Sequence, residues 1–324
     1  MSLKKLSFLL SLTIATLLGA SLPAEELNVY FKTTPGIELL RPFADPIDLS
    51  LLITGLDGRP VKQGTVAIRL EAPRPGRFFS TDMPLVEGTV LNEMRLPLRQ
   101  GRANWKQLFP IRGEYRLMVD VLAADGSKAS KTLSFAVREN RQKWLALGAF
   151  SAGLFLLGFV AGRVFTGPSA GALIAAAALL GGPAMGAGQN APRGAAVLEI
   201  EPATVGKPSR VGWQMANHGA ADASALLTLT ITHLEKQKVV FAVEKIAVPG
   251  EWSMKFNFPD GAEYRVAAVG AFPGSAPVRT EEVIAVTGVE PPVSATAPVL
   301  SCFVALIAAG LGFGRWSKRR GAAR

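Results

Sequence analysis

The sequence predicts two all-β extracytoplasmic domains, each an immunoglobulin-like β-sandwich, together with three membrane spans. Three observations lead to this fold class. Short apolar runs separated by turn signals fill two regions, an eight-residue motif occurs once in each region, and long uncharged segments lie between and after them. An apolar fraction of 49% and a mean hydropathy of +0.27 are high for a soluble protein of 324 residues and indicate membrane segments.

Residues 1–24 have the three parts of a secretory signal peptide. Lys4 and Lys5 form the charged start, residues 6–18 form the apolar core, and small residues ending at Ala24 supply a cleavage site. Cleavage near Ala24 would export the chain that follows, and retention of the segment as an anchor would export it equally. In a bacterium, the exported chain enters the periplasm.

Residues 25–140 are predicted to form the first β-sandwich. Runs such as 47–54, 65–71 and 90–98 are short and rich in apolar residues, and the turn signals Leu-Asp-Gly-Arg-Pro and Asp-Gly lie between such runs. No window has a helical apolar period over three turns. Six or seven short strands in about 110 residues fit a sandwich.

Residues 193–290 are predicted to form a second β-sandwich that shares a motif with the first. Residues 109–116 and 258–265 both read F-P-x-x-x-E-Y-R, and a strand ends in Ala-Val 21 residues beyond each arginine. We interpret this pattern as an internal duplication. We expect each sandwich to have a separate core, and the two to be joined through the membrane helices.

The shared motif contains Tyr115 and Tyr264, two of the chain's three tyrosines. A tyrosine near the start of the penultimate strand of a sandwich can tie the preceding turn to the backbone, as in a tyrosine corner. The alternative is a pair of catalytic tyrosines. We favour the structural role, because a buried tyrosine hydroxyl normally needs a hydrogen-bond partner of this kind.

Two segments have the length and composition of membrane spans. Residues 144–163 are apolar and begin with Trp144, a residue type that is enriched at the membrane interface. Residues 294–314 precede the basic tail 315–324, which should lie in the cytoplasm under the positive-inside rule.

The segment 168–188, which is rich in alanine and glycine, decides the topology. The basic tail is cytoplasmic only if this segment crosses the membrane as well, and the second sandwich is then periplasmic. We therefore predict a marginal span that inserts as a hairpin with 144–163. The alternatives are a linker, or a second signal peptide left by the fusion of two exported proteins; cleavage of the latter after Ala187 would not change the topology.

Small residues recur four apart in all three segments, a spacing that lets helix backbones approach closely. The pairs are Gly158 and Gly162, Gly167 and Gly171, and Gly310 and Gly314. We expect them to pack the helices into a bundle within one chain. The alternative is a docking face for another membrane subunit or for a second copy of this chain.

The net charge of +10 does not indicate binding to nucleic acid. Lys4, Lys5 and the five basic residues of the tail account for most of it, which leaves +3 over residues 25–314. The excess of basic residues therefore serves targeting and topology.

No catalytic, cofactor-binding or metal-binding residues are predicted. The chain lacks the G-x-S-x-G, Walker A, H-E-x-x-H and C-x-x-C motifs, and the adjacent acids Glu281 and Glu282 should face opposite sides of a strand. Cys302 is the only cysteine, which precludes an intramolecular disulfide, and we expect it to be a small buried side chain.

The two histidines, His218 and His233, both lie in the second predicted sandwich. Met215 and His218 are close enough in sequence to form a weak copper(I) pair, although we favour a solvent-exposed turn histidine at 218. We expect His233, at the end of a strand, to be structural or exposed.

Residues 73–89 form a proline-rich connection with charged and aromatic side chains: Arg74, Arg77, Phe78, Phe79 and Asp82. Adjacent phenylalanines beside two arginines suit contact with a partner or with a membrane surface. The alternative is a loop that closes one end of the sandwich, with one of the phenylalanines plugging the core.

The hairpin at 113–137, G-E-Y-R-L-M-V-D-V followed by D-G and L-S-F-A-V, resembles FixH-like and related immunoglobulin-like periplasmic modules. Those families are tied to membrane cation pumps and to oxidase assembly. The layout of signal peptide, sandwich, two-helix hairpin and second sandwich also resembles the B subunit of copper membrane monooxygenases. That family binds copper through histidines of the first sandwich, including one at the mature N-terminus. Here the first sandwich has no histidine, the mature start is near Glu25 and a last span is added, so the resemblance implies the architecture without the copper chemistry.

Together these observations predict a non-enzymatic protein of the bacterial inner membrane, with both sandwiches periplasmic and the C-terminus cytoplasmic. It would act as an interaction or assembly module of a membrane complex, without cofactors and with a membrane-protein partner. The alternative function is periplasmic handling of a metal such as copper, or binding of a small ligand.

Overall fold

The computed structural model describes residues 27–76, 79–165, 196–215, 224–272 and 274–322. These residues form mostly antiparallel β-sheet, together with two long apolar helices. The predicted signal peptide 1–24 and the predicted marginal span 168–188 lie outside the described residues.

The N-terminal half contains seven strands that pair in two groups. They are β1 (Leu27–Thr34), β2 (Ile47–Gly55), β3 (Gln63–Glu71), β4 (Val90–Arg99), β5 (Arg102–Gln107), β6 (Gly113–Ala123) and β7 (Lys128–Val137), with a short 3-10 turn at Ile37–Leu39. One group has the order β1-β2-β5 and the other β4-β3-β6-β7. The hairpin between β4 and β5 connects the two groups through the pair Arg99 and Arg102.

The C-terminal half follows the first helix and repeats this arrangement. Its elements are α1 (Arg141–Val164), β8 (Ala196–Ile200), β9 (Pro208–Met215), β10 (Ala225–His233), β11 (Lys238–Val248), β12 (Glu251–Asn257), β13 (Glu263–Ala271), β14 (Val278–Ala285) and α2 (Val293–Ala322). The pairing orders are β8-β9-β12 and β11-β10-β13-β14. Each strand of one half therefore has a counterpart in the other, as an internal duplication requires.

The turn signals of the sequence end strands where they were predicted to do so. Gly58 and Gly126 have φ values of +78° and +91°, a region that glycine enters without steric cost. The side chain of the aspartate before each glycine accepts a hydrogen bond of 3.0 Å from a backbone N–H two residues further on, that of Arg59 in one turn and of Ser127 in the other. Both turns are thereby fixed by local chemistry.

The two halves pair with each other through the same two strands of each. Strand β11 pairs with β5, where Phe241 lies opposite Gln107, and β12 pairs with β4, where Phe256 lies opposite Asn92. The shared motif aligns Pro110 with Pro259, and in this alignment β5 corresponds to β12 and β4 corresponds to β11. The pairing is therefore reciprocal, as across an approximate twofold axis, and it joins the strands into two seven-stranded ladders, β1-β2-β5-β11-β10-β13-β14 and β7-β6-β3-β4-β12-β9-β8.

This pairing contradicts the expectation of separate cores. The buried apolar residues form one cluster with members from both halves, among them Trp105 and Phe109 from the first and Phe241 and Phe256 from the second. The physical reason is that strands β4, β5, β11 and β12 would otherwise be sheet edges with unpaired backbone groups. Each half covers two sheet edges of the other.

The four residues at the centre of this junction differ between the halves. Asn92 donates a 2.7 Å hydrogen bond from Nδ2 to Oε1 of Gln107, and both side chains are buried. The counterpart positions hold Phe241 and Phe256, whose ring centroids are 5.7 Å apart. One half therefore contributes a polar pair and the other an aromatic pair.

Helices α1 and α2 are long and apolar enough to cross a membrane, with a mean hydropathy of 2.0 in the most apolar window of each. The predicted spans 144–163 and 294–314 lie within them. Helix α2 continues through most of the basic tail to Ala322. Arginine, lysine and alanine are good helix formers in water, so the helix can extend beyond the apolar segment. Cys302, expected to be buried, is exposed on α2 because α1 covers only one side of that helix.

The two helices pack side by side and run in the same direction. The Phe150 ring contacts the Phe303 ring in the first half of each helix, at a centroid distance of 5.4 Å, and Lys318 Nζ donates a 3.1 Å hydrogen bond to the Arg163 carbonyl near the helix ends. Between these points the small residues meet backbone directly: a Cβ on Gly162 would overlap the carbonyl oxygen of Leu311, and one on Gly314 that of Phe159.

The helix contact uses the two described glycine pairs, Gly158 with Gly162 and Gly310 with Gly314, as predicted for packing within one chain. The third predicted pair, Gly167 and Gly171, lies outside the described residues.

Candidate functional site

Tyr115 ties the turn before β6 to the backbone, as predicted from the motif. Its hydroxyl donates a 2.6 Å hydrogen bond to the carbonyl oxygen of Ile111 and accepts one of 3.1 Å from the Ile111 N–H. The ring is fully buried against Phe109 and Phe135, with centroid distances of 4.8 and 5.8 Å. Burial raises the pKa of Tyr115 far above its usual value, so the phenol stays neutral.

Tyr264 makes the corresponding contact with a side chain. Its hydroxyl donates to Oδ1 of Asp260, the residue at the same offset as Ile111, and its ring packs on Phe258 at 5.0 Å. Burial, followed by the hydrogen bond to Asp260, raises the pKa of Tyr264 far above its usual value. Burial acts to raise the pKa of Asp260 as well, but hydrogen bonds from Lys236 and Tyr264 hold that pKa below the usual value, and the carboxylate is ionised.

His233 is part of the same cluster. It is buried, which fits the predicted structural role and not the predicted exposed position. Its Nε2 lies 3.2 Å from Oδ2 of Asp260, and its Nδ1 accepts a 3.3 Å hydrogen bond from the Lys236 N–H. Both ring nitrogens are therefore occupied within the fold. His233 supports the turn that Tyr264 closes.

The other predicted candidates do not meet in a site within the described ranges. Met215 ends β9 and is half-buried, while His218 lies outside the described residues, so their copper(I) pair stays a prediction. Across residues 27–76, 79–165, 196–215, 224–272 and 274–322, no group of three or more His, Cys, Asp or Glu is placed to hold a metal ion.

The adjacent acids of β14 have different surroundings. Glu281 accepts from Arg265 and Arg279, each at 2.9 Å. Burial instead raises the pKa of the neighbouring carboxyl, Glu282.

The connection 73–89 lines a cleft beside the first turn of α1. Arg74 and Phe79 face the cleft, and Asp82 forms an ion pair with Lys143 of α1. Phe79 is 49% exposed, so it does not plug the core. Arg77 and Phe78 lie outside the described residues.

The cleft has a volume of about 960 Å³ and a wall rich in arginine. Four arginines and two aromatic rings characterise it: Arg74, Arg112, Arg116, Arg138, Phe79 and Trp144. We call it the arginine cleft. The guanidinium carbon of Arg112 lies 4.8 Å from the centre of the Trp144 ring. This cation–π contact connects the turn before β6 to helix α1.

Two acids, Glu114 and Glu139, line the cleft as well, and carboxylates neutralise only part of the arginine charge. Arg116 lies 2.8 Å from Glu71, and Arg112 lies 3.3 Å from Glu139, a carboxylate that is 9% exposed and also lies 3.5 Å from Lys143. Arg74 and Arg138 are exposed and have no carboxylate partner in the part of the chain that the structure describes. The cleft therefore presents two unpaired guanidinium groups.

Sequence reasoning identified one side of this cleft and missed the other. Arg112 and Arg116 belong to the repeated motif, in which only the tyrosine is predicted to have a role, and Arg138 is not predicted to belong to any site. Arg116 meets the connection 73–89 because β3 pairs with β6, which places Glu71 opposite Arg116, and Arg138 follows because β7 pairs with β6, which places Val137 opposite Gly113. No local signal in the sequence reports the pairing of β3 with β6.

The comparisons with known proteins give no family for this chain. No protein-family model and no curated protein matches it. Neither FixH-like modules nor the copper monooxygenase B subunit is therefore confirmed.

Solved structures match weakly over most of this chain. The native conformation of Escherichia coli alpha-2-macroglobulin is 13% identical, covers 82% of this chain and 14% of its own, and has a TM-score of 0.24. A tetra-tandem repeat from the extending region of a large adhesion protein is 10% identical over 80% of this chain and 50% of its own, with a TM-score of 0.23. A DUF4785 family protein from Legionella pneumophila is 12% identical over 81% of this chain and 58% of its own, with a TM-score of 0.26. The chain thus spans between 14% and 58% of the length of these three structures, and likeness at this level carries no argument about activity.

Replacing a motif tyrosine by phenylalanine should lower the free energy of unfolding, whereas replacing the third tyrosine, Tyr30, should not. Tyr115→Phe leaves the N–H and carbonyl of Ile111 buried without their partner and should lower the free energy of unfolding by about 1–3 kcal/mol. Tyr264→Phe should cost about 1 kcal/mol, because Lys236 and His233 still contact Asp260. Urea unfolding of the full chain in a neutral detergent measures both changes.

Tyr30→Phe is the matched control. Tyr30 is 57% exposed, and its replacement should change the free energy of unfolding by less than about 0.5 kcal/mol. If Tyr115→Phe were as neutral as this control, the structural role of the repeated tyrosine would be wrong.

Proposed function

We propose that the protein is a non-enzymatic, membrane-anchored interaction or assembly module of a membrane complex. Two immunoglobulin-like β-sandwiches lie on the periplasmic side of a bacterial inner membrane, three spans remain after signal cleavage, and the C-terminus is cytoplasmic. The non-enzymatic role rests on the sequence, which carries none of the hydrolase, nucleotide-binding or metalloprotease motifs described above.

The observation that carries this topology is the parallel direction of α1 and α2. If both helices cross the membrane, both start on one face and end on the other. The β-strands that follow α1 pair with those that precede it, so both halves lie on the face where the helices start. This arrangement supports the proposed span at 168–188, which would return the chain to that face.

The charges assign the two faces. Lys318 lies beside Arg163 at the far end of the helix pair, and Arg315, Arg319 and Arg320 belong to the same end of α2. The other end carries fewer basic residues, Arg138, Arg141 and Lys143, so the positive-inside rule favours a cytoplasmic position for the end that contains Lys318. The signal peptide proposed for residues 1–24 exports the opposite face.

The helix pair also supports an interaction role. Its small residues are used between α1 and α2, while large side chains on the outer faces, such as Leu156, Val160 and Val304, are exposed. These faces meet either lipid or the helices of a partner membrane protein. The alternative function keeps two forms: small-ligand binding, which the arginine cleft favours, and copper handling by Met215 and His218.

Reporter fusions test the topology. A periplasm-dependent reporter fused after Glu290 should be active, because that residue joins β14 to α2 on the proposed periplasmic face. The same reporter fused after Arg324 should be inactive, and a cytoplasm-dependent reporter should show the reverse pattern. An inactive periplasmic reporter at 290 together with an active one at 324 would overturn the proposed topology.

Purification from native membranes tests the interaction role. A tagged full chain, solubilised in a mild detergent, should elute as a complex with a membrane protein present in fixed stoichiometry, and cross-linking before solubilisation should give the same partner. Elution as a free single chain both with and without cross-linking would contradict an assembly module.

A further inference from the structure

We propose that the arginine cleft binds the phosphodiester headgroup of an anionic phospholipid in the periplasmic leaflet. This inference rests on the proposed topology, because the cleft must open at the membrane surface on the outer face. It deepens the proposed function by naming a ligand that would hold the β-sheets at a fixed height and angle over the bilayer.

The position of the cleft favours a lipid as its ligand. Trp144 lies in the first turn of α1 and lines the cleft, and tryptophan at the end of a span sits at the level of the headgroups. The exposed ring of Phe79 lines the cleft as well. An apolar ring on each of two connected elements beside charged groups matches the boundary between acyl chains and phosphates.

The charges of the cleft select an anion. Of the four arginines, Arg112 and Arg116 are paired with carboxylates, whereas Arg74 and Arg138 have none among the described residues. A guanidinium group binds phosphate oxygens through two parallel N–H donors, and it remains charged at any pH of the periplasm. Two such groups line the same cleft and are available to one phosphodiester.

Ion pairs link the walls of the cleft to one another. Glu139, a largely buried carboxylate, contacts both Arg112, the residue before β6, and Lys143 of the helix, and Asp82 of the connection also contacts Lys143. These contacts hold the first turn of α1 against β6 and the connection 73–89. A cleft of about 960 Å³ is within the size range of small-ligand sites.

Retention of lipid by the purified protein tests the proposal. The full chain is reconstituted into vesicles of phosphatidylcholine and phosphatidylglycerol in about a 4:1 ratio, extracted with a neutral detergent, and analysed for bound lipid by mass spectrometry. Wild-type protein should retain phosphatidylglycerol in preference to phosphatidylcholine by about tenfold over the starting ratio. The double variant Arg74→Gln/Arg138→Gln should retain the two lipids in the starting ratio.

Arg99→Gln/Arg102→Gln is the matched control. It removes the same charge from two exposed arginines that have no ion pair among the described residues, at the opposite end of β4 and β5 from the cleft. This variant should keep the wild-type preference. Equal loss in both double variants would mean a diffuse charge effect and would overturn the site, as would retention of the preference in the cleft variant.

Inorganic phosphate distinguishes the headgroup from a free anion. Phosphate added in excess during extraction should leave the bound phosphatidylglycerol in place, because the lipid is also held by its acyl chains. Complete release of the lipid by phosphate would overturn the lipid proposal in favour of a soluble anion. The reporter fusions are independent of this result: a cytoplasmic position of residue 290 would overturn the topology, whereas failed lipid retention with correct topology would overturn the lipid site alone.

Discussion

Phe256→Ala should destabilise both halves of the β-structure together. Phe256 is 1% exposed, its ring packs against Phe241 and Phe258, and its backbone pairs with Asn92 of the other half. Removing a buried phenylalanine ring typically costs about 3–5 kcal/mol, through lost burial and the cavity that remains. Because the core is continuous, we expect one unfolding transition in the full chain, shifted as a whole.

Unfolding of the full chain in neutral detergent, followed by β-structure and by tryptophan fluorescence, provides the measurement. Leu122→Ala is the control: Leu122 lies on β6 with half of its surface exposed, and its loss should change the free energy of unfolding by less than about 0.5 kcal/mol. Two separate transitions, of which only one moved in Phe256→Ala, would show that the halves fold independently and that their pairing is weak.

Gly162→Leu should separate the two helices. A Cβ at this position would overlap the backbone of Leu311, so the larger side chain forces α1 and α2 apart and exposes the line of small residues between them. Overpacking of a close contact typically costs about 1–3 kcal/mol, and here the obstacle is backbone, which yields less than a side chain does.

Thiol cross-linking measures the separation. In a Cys302→Ser background, Phe150→Cys and Phe303→Cys place two thiols where the wild-type rings touch, and a short bifunctional reagent should link them efficiently. Adding Gly162→Leu should reduce that yield severalfold. Gly153→Leu is the matched control, since a Cβ there meets nothing within 4 Å, and it should leave the yield unchanged. Equal yields in all three backgrounds would contradict the parallel contact on which the proposed topology depends.

The features that could be predicted from the sequence are those with a local cause. Strands were predicted from alternating apolar residues, turns from Asp-Gly pairs, helices from long uncharged runs, and the role of Tyr115 from its place in a repeated motif. In each case the residues whose pattern gave the prediction also make the contacts that form the element. The partner of Tyr264 differed, because Asp260 replaces the backbone carbonyl with a carboxylate at the same offset.

The pairing of the halves had no such signal. An apolar alternation reports which face of a strand is buried, but the groups that join β5 to β11 and β4 to β12 are backbone N–H and C=O, which every residue carries. The arginine cleft depends on the same kind of information. Its walls come from segments about 40 residues apart, and the β3–β6 ladder that brings them together is again a backbone contact.

The difference between the two halves at the centre of their junction bears on how the molecule arose. Reciprocal pairing about a twofold axis is the geometry of a dimer of identical chains, in which both copies must carry the same residues at the axis. Here the amide pair of Asn92 and Gln107 faces the rings of Phe241 and Phe256, an arrangement that only two linked and separately mutable copies can reach. The two sides of the junction can therefore change independently of each other, which the symmetry of a dimer of identical chains does not permit.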